Sequence, residues 1–423
     1  MKVTRLKLAN VRAIKAAELR FEPGFNLVIG VNGVGKTTVL RTLAICLSEI
    51  VRGTNREVTR TSSTERFDIE DVRVGGKALT VECGVEIKGE DFTYVVHKPR
   101  RAGIVRKKSS GMPREQLVHR PELYDFLGES PRLARDRDPG GRPFALLFGV
   151  GRASQNKDNK EPTRGSTYGG IRSAVSGALT NRSLRSVEFM EWMRVQQRLR
   201  KESQSSRRAL VAIEKAVRRF LPGYTSLRVV RRGPKPELCI NHGRATLAVR
   251  QLSDGERGIL ALVFDLTRRL TLANPTMADP AAMAEAIVLI DEIDLHLHPG
   301  WQRQVVRNLI AAFPRCQFIA TTHSPQIVGE VAHNQIQIMT NEMVYAPTHS
   351  FGVDSSRVLE EIMGAEPRAR EAKQLLSQLS RRIEQQHFDE ARKLLVRLAN
   401  RLGDDDPDVI RARTLLDFMG GSD

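Results

Sequence analysis

The chain has 423 residues, 40% hydrophobic and 27% charged, proportions of a globular protein long enough for two or three units. No stretch approaches the roughly 18 consecutive apolar residues of a membrane helix. The opening MKVTRLKLANVRAIK alternates instead of presenting an apolar, cleavable leader, so the expectation is a cytoplasmic protein with no membrane partner. A formal charge of +18 makes nucleic acid a plausible partner, because a positive field concentrates phosphates, but charge alone proves none. Cys46, Cys83, Cys239 and Cys316 are scattered in apolar contexts without a CxxC pair and read as reduced core residues.

Alternation over 2–9 and 14–21, then the apolar run Phe25–Ile29, predicts strands opening a sheet. A Leu- and Ala-rich helix follows from Thr37 to about Ile50. Residues 79–97 read as two strands joined by a Lys-Gly-Glu-Asp turn, an antiparallel side sheet. Residues 98–120 and 135–167 are basic or rich in Gly, Asp, Asn and Arg and read as loops, either a nucleic-acid-contacting arm or a solvated insertion. Helical spacing returns over 185–220, too short for an extended coiled coil. Beyond about 340, three amphipathic helices are expected around Leu375–Ile383, Phe388–Leu398 and Val409–Phe418. FDEARKLL has a tetratricopeptide look, but no fixed period supports a repeat array.

Gly30-Val31-Asn32-Gly33-Val34-Gly35-Lys36-Thr37 matches GxxxxGK[ST] between an apolar strand and a helix. Its glycines let backbone N–H groups converge on phosphate oxygens at a helix N-terminus. Gly30, Asn32, Gly33, Val34, Gly35, Lys36, Thr37 and Thr38 are the nucleotide-binding candidates; Lys36 would reach the β and γ phosphates and Thr37 would ligate magnesium. Ala286–Ile290 is a buried parallel strand ending in Asp291 and Glu292. Carboxylates at that edge suit a metal ligand, Asp291, and a base that polarises water, Glu292. Ser253-Asp254-Gly255-Glu256 opens an apolar helix and could be a second anion site or a plain capping box. Asp294-Leu295-His296-Leu297-His298 lacks the further ligands of a metal site, and a strand over 318–322 ends at His323.

The pieces GVNGVGKT, LSDGER, IVLIDEIDLHLHPGWQ and ATTHSP together resemble the ABC-type ATPases of the branch that includes RecF-like and overcoming-lysogenisation-defect-like proteins. LPGYTSLRV and SFGVDSSRVLEEIMG narrow the likeness to the PtuA family, the ATPases of Septu-type and retron-associated anti-phage defence systems. The resemblance implies an α/β ABC-ATPase P-loop fold with mixed central sheet, antiparallel side sheet, helical lid insertion and C-terminal helical cap. It implies slow hydrolysis of ATP with Mg2+ between two head-to-tail copies. Ser253, Asp254, Gly255 and Glu256 would act in trans as the signature, Asp294 as the D-loop residue at the dimer interface, His323 as the switch histidine, and Arg12 as a nucleotide contact. The magnesium-sensing glutamine cannot be assigned, Gln116 and Gln155 both lying in loops, and Asp254 replaces the second signature glycine.

The expected division is 1–97, an ATPase lobe with phosphate loop and side sheet; 98–222, a basic loop and helical insertion; 223–345, a lobe with signature, acidic pair and switch histidine; and 346–423, a helical region. Asp404-Asp405-Asp406 could suggest a fused nuclease, but without a preceding strand it reads as a turn and helix start. The expected function is an ATP-gated sensor and scaffold in anti-phage defence, a homodimer or higher oligomer working with a separate HNH-type nuclease. The competing expectation is a RecF-like ATP-dependent DNA clamp in repair.

Overall fold

The computed structural model describes residues 1–54, 65–100, 144–153, 171–180, 186–232, 235–366 and 368–420. The chain divides into two compact units, Met1–Asp354 and Ser355–Asp423.

The first unit is built on a six-stranded mixed sheet. Its strands are β3 (Phe25–Gly30), β6 (Ala145–Phe148), β10 (Ile287–Ile290), β11 (Gln317–Thr321), β12 (Ile336–Met339) and β13 (Val344–Tyr345), in the order β13-β12-β3-β11-β10-β6. All pairs are parallel except β12 with β13. The runs IVLI of β10 and QFIAT of β11 are buried throughout, as strands covered on both faces must be. Their registers matter for the site: Leu27 lies beside Ala320 and Ile290 beside Ala320. Parallel strands in that register deliver Gly30, Asp291 and Thr321 to one edge.

An antiparallel side sheet, β2-β1-β4-β5, comprises β1 (Lys2–Val11), β2 (Ile14–Arg20), β4 (Ala78–Ile87) and β5 (Glu90–Pro99). Its expected turn is tighter than anticipated, with Lys88 at φ 55° and Gly89 at φ 84°, the two-residue geometry that matches strand twist. A third sheet joins β7 (Tyr224–Arg232), β8 (Lys235–His242) and β9 (Ala245–Ala248). Helix α1 (Lys36–Thr54) packs Val39, Leu40, Leu43, Cys46 and Leu47 inward, side chains that recur at helical spacing along one face. The other long helices among the described residues of this unit are α2 (Ser186–Leu199), α3 (Gln204–Phe220), α4 (Asp254–Ala273) and α5 (Pro299–Ala312). Phe189 of α2 stacks on Phe264 of α4 with ring centroids 5.1 Å apart.

The loop expected over 135–167 is corrected where it can be seen: Ala145–Phe148 is the edge strand of the central sheet, paired residue by residue with β10. Four apolar residues between glycines and prolines carry no readable period; the neighbouring strand makes them a strand. The loop expected from 98 begins later, because β5 runs to Pro99; the remainder of the two expected loops, 101–120, 135–143 and 154–167, lies outside the described residues. The segment 346–354 stays with the first unit, since Ser350 Oγ donates to the Val331 carbonyl at 2.7 Å and Gly352 N–H to the Gly329 carbonyl at 2.9 Å.

The second unit contains helices α6 (Arg370–Glu384), α7 (Phe388–Leu402) and α8 (Pro407–Gly420) around Leu379, Ile383, Ala391, Leu395, Leu398, Val409 and Leu416. Asp406 accepts both Nη groups of Arg368, at 2.9 and 3.0 Å, and the N–H of Asp408. The acidic run is therefore a turn and helix start, as expected, with its last carboxylate held by an arginine fork.

Candidate nucleotide site

The loop Gly30–Lys36 owes its shape to its glycines. Gly30 sits at φ 152°, and a Cβ there would lie 2.3 Å from the Met339 carbonyl of β12. Gly35, at φ 108°, would meet the Ile14 side chain at 2.9 Å. Only glycine fits such close approaches. Val34 is buried beneath the loop and Thr38 is half-buried, whereas Asn32, Gly33 and Thr37 are exposed, leaving the outer face open. Lys36 folds back over the loop, its Nζ donating to the carbonyls of Gly30 at 2.7 Å and Val31 at 3.1 Å. Burial lowers its proton affinity while Glu292, Asp291 and Asp294 oppose that shift.

Thr37 Oγ1 donates to Asp291 Oδ2 at 3.0 Å, and Thr321 Oγ1 donates to Asp291 Oδ1 at 2.6 Å. A hydroxyl and one carboxylate in contact at the mouth of a phosphate loop fit magnesium, a cation that retains waters and takes few protein ligands. Glu292 adopts φ +47°, in the left-handed region that L residues rarely occupy. Its N–H donates to Thr321 Oγ1 at 2.7 Å, and its carbonyl accepts from Arg152 Nη2 at 2.6 Å.

Arg152 and Thr321 are structural partners that the sequence reading missed. Thr321 stands in the quoted ATTHSP run, so its place at a strand end was visible although its role was not. Arg152 stands in a segment read as loop and had no signal. It is buried in the turn after β6, and burial lowers its proton affinity against the pull of Asp294, Asp291 and Glu292.

Asp294 Oδ1 accepts from Thr322 Oγ1 at 2.6 Å and from the His323 N–H at 3.2 Å. Its carboxylate thus engages Thr322 and the His323 backbone, directly after β11 of its own chain. His298 Nδ1 accepts from Gly300 N–H at 3.2 Å as the N-cap of α5, which gives that histidine a structural use. Among the described residues no cluster of three or more His, Cys, Asp or Glu is placed to hold a metal. Arg12 donates from Nε to Asp71 Oδ1 at 2.8 Å, and Arg41 donates to the same oxygen at 2.6 Å. Burial alone would raise the Asp71 carboxyl; hydrogen bonds from Arg41, the Asp68 backbone and Arg12 outweigh it and hold it below its usual range. Gln116 and Gln155 lie outside the described residues.

Where the second anion site was expected, Ser253 caps α4 and forms a capping box with Glu256. Glu256 Oε2 accepts from Ser253 N–H and Oγ, each at 2.8 Å, and Oε1 accepts from the Tyr224 hydroxyl at 2.8 Å. Asp254 pairs with Arg257 on the next turn. Gly255 packs so closely that a Cβ would lie 2.3 Å from the His296 carbonyl. The start of α4 therefore rests on the segment that follows the acidic pair.

A phosphate loop opening α1, with an acidic pair at the edge of a parallel sheet beside it, defines a P-loop nucleotide site in an ABC-type ATPase fold. The chain belongs to the family described as AAA domain, putative AbiEii toxin, Type IV TA system, which matches residues 25–329. It is 38% identical over 211 residues to the Retron Ec83 probable ATPase of Escherichia coli, covering 49% of this chain and 38% of that protein. The chain thus spans less than half the length of that relative. With the Retron Vc95 probable ATPase of Vibrio cholerae it shares 25% identity over 420 residues, covering 84% of this chain and 78% of that one. The Septu protein PtuA of Bacillus thuringiensis is 22% identical over 386 residues, 86% of this chain and 84% of its own. RecF of Aliivibrio fischeri is 28% identical over 140 residues, 32% of this chain and 37% of its own. These relatives agree with the likeness to PtuA-type and retron ATPases carried by the motifs.

Proposed function

We propose that the chain binds ATP with magnesium and hydrolyses it slowly between two head-to-tail copies, and that this cycle gates a separate nuclease in anti-phage defence. The observation that carries the reading is the hydrogen-bond chain Thr37–Asp291–Thr321, which joins the phosphate loop to the acidic strand end and to the Glu292 N–H.

In this reading the N–H groups of 33–38 bind the phosphates at the positive end of α1. Lys36 leaves the carbonyls of Gly30 and Val31 for the β and γ phosphates. Thr37 and Asp291 would hold magnesium, which when bound offsets the phosphate charge. Glu292 orients the attacking water and takes its proton, and His323 hydrogen-bonds the γ phosphate. Ser253 and Gly255 of the second copy close the site with the N-terminus of their α4, while Asp294 holds the switch segment. Retron and Septu relatives that match over most of their length support the defence setting, with a nuclease of HNH type as the proposed partner and the cytoplasm as the compartment.

Lys36→Ala is expected to abolish ATP binding, while Glu292→Gln keeps binding and slows turnover by about a hundred- to ten-thousand-fold. Mixing Lys36→Ala with Ser253→Arg chains should regenerate one intact site per hybrid dimer and restore activity that neither has alone. No recovery on mixing would overturn the head-to-tail arrangement. Copurification with the product of the adjacent reading frame tests the nuclease, and a chain that recruits none would overturn that part.

The net charge of +18 and the partial match to RecF favour a second reading, a DNA clamp. It requires ATP-dependent duplex affinity that falls steeply with salt; salt-insensitive or absent binding removes it.

A further inference from the structure

Arg152 is a buried charge to which the proposed chemistry gives no task. It is 6% exposed and occupies the turn Val150–Ala153 directly after β6. Its Nη1 donates to the Asp291 carbonyl at 2.6 Å and to the Gly149 carbonyl at 3.3 Å, and its Nη2 to the Glu292 carbonyl at 2.6 Å. A buried guanidinium usually sets its planar fork on a carboxylate or phosphate. Here the fork grips two consecutive peptide carbonyls, those of the acids that end β10.

The grip falls where the backbone needs it. Glu292 is held at φ +47°, a conformation that persists in L residues only when the surroundings over-determine it. The peptide on its N-terminal side is fixed by the bond from its N–H to Thr321 Oγ1, and the peptide on its C-terminal side by Arg152. Arg152 also faces the signature helix. It lines one cavity with Ala261, Asp265 and Arg268 of α4, and a second with Gly258, Ile259 and Leu262 of the same helix. Arg268 is 3% exposed and pairs with Asp265 and Glu188, but its Nε finds no hydrogen-bond partner, so the charged layer of α4 that Arg152 borders is incompletely paired. The same guanidinium thus touches the turn that carries the proposed base and borders the helix that carries Ser253.

We propose that Arg152 is a positioning residue for ATP hydrolysis: by gripping the carbonyls of Asp291 and Glu292 it aims the Glu292 carboxylate at water, and it relays the seating of α4 to that carboxylate. The inference rests on the hydrolytic reading above. Arg152 acts through Glu292 and touches no phosphate, so its loss should lower kcat and spare nucleotide affinity.

The experiment compares wild type, Arg152→Lys, which keeps the charge without the fork, and Arg152→Gln, each also in the Glu292→Gln background. Single-turnover hydrolysis, the Kd for a fluorescent ATP analogue and circular dichroism are measured. Arg152→Gln should slow hydrolysis about ten- to a hundredfold and Arg152→Lys somewhat less, with Kd changed by under about threefold. In the Glu292→Gln background either change should slow the residual rate by less than about twofold, because the group it positions is gone. Equal losses in both backgrounds, an unchanged rate, or a Kd that rises in step with the loss would overturn the proposal. Should Arg152→Gln fail to fold, Arg152→Lys decides; failure of both makes Arg152 a stability residue and overturns it as well. A wild-type chain no faster than Lys36→Ala would overturn the hydrolytic reading itself, an outcome distinct from an Arg152 variant as fast as an active wild type.

Discussion

Glu256 closes the capping box at the start of α4, and its surroundings use the charge. Burial would raise its carboxyl, but hydrogen bonds from the Ser253 N–H, the Tyr224 hydroxyl and the Ser253 hydroxyl hold it below the usual range. Burial and Glu256 in turn push the Tyr224 phenol up to about 12. A depressed carboxyl contributes stability in full above its unfolded value, about 4.3, and loses it as pH falls through the lower folded value. Glutamine has the same reach but offers one acceptor oxygen and brings an NH2 group against donors. Glu256→Gln should therefore lower stability at pH 7 by about 0.5–1 kcal/mol, a modest value because the site is partly solvated. The difference from wild type should close as pH falls below about 4. Thermal melts from pH 3 to 7 check this, and a gap that ignores pH would count against it. At this scale the sequence was informative wherever backbone chemistry is local: the glycines of 30–35 and the cap at Ser253 are legible from their neighbours. Arg152 was not, because the two carbonyls it grips at 2.6 Å are 139 and 140 positions away.

Among the elements, the contact between α4 and the segment after β10 joins the start of that helix to the acidic pair. Gly255 allows it, with the His296 carbonyl 2.3 Å from where a Cβ would stand. Both partners are backbone, so neither can swing aside as a side chain would. Gly255→Ala should force the two segments apart at a cost of about 1–3 kcal/mol, a fall of roughly 1–4 °C in melting temperature for a chain of this size. Hydrolysis should drop at least about tenfold, while ATP binding by the isolated chain persists because the phosphate loop lies on another element. Differential scanning fluorimetry with nucleotide titration measures both, and an unshifted melt would mean that the segments part freely. Strand β6 teaches the same lesson about elements. Its four residues have no pattern of their own and become a strand through pairing with Ile287–Ile290, which carries the turn with Arg152 to the site.

On the scale of the whole molecule, the two compact units have separate cores. Leu398 is fully buried in the three-helix unit, and Leu398→Asp would place an unpaired carboxylate there, a penalty of several kcal/mol or more. The C-terminal unit should lose its cooperative unfolding, seen by hydrogen exchange over 370–420, while ATP turnover stays within about twofold. A parallel collapse of turnover would show that the three helices support the nucleotide site or its dimer. What the sequence by itself determined is the set of groups: a loop whose glycines can bend around phosphate, an apolar strand ending in two acids, and a capped helix with a serine at its tip. Each is written in a short contiguous run because its physics is that of neighbouring backbone atoms. What only the tertiary structure decided is how those groups meet. Parallel register brings Thr37, Asp291 and Thr321 into one hydrogen-bonded line across separations of 254 and 30 residues. The same sheet supplies, through an edge strand without a pattern, the buried guanidinium that holds Glu292 in its strained turn. Those relations depend on which strands lie side by side, and no local run of residues encodes that.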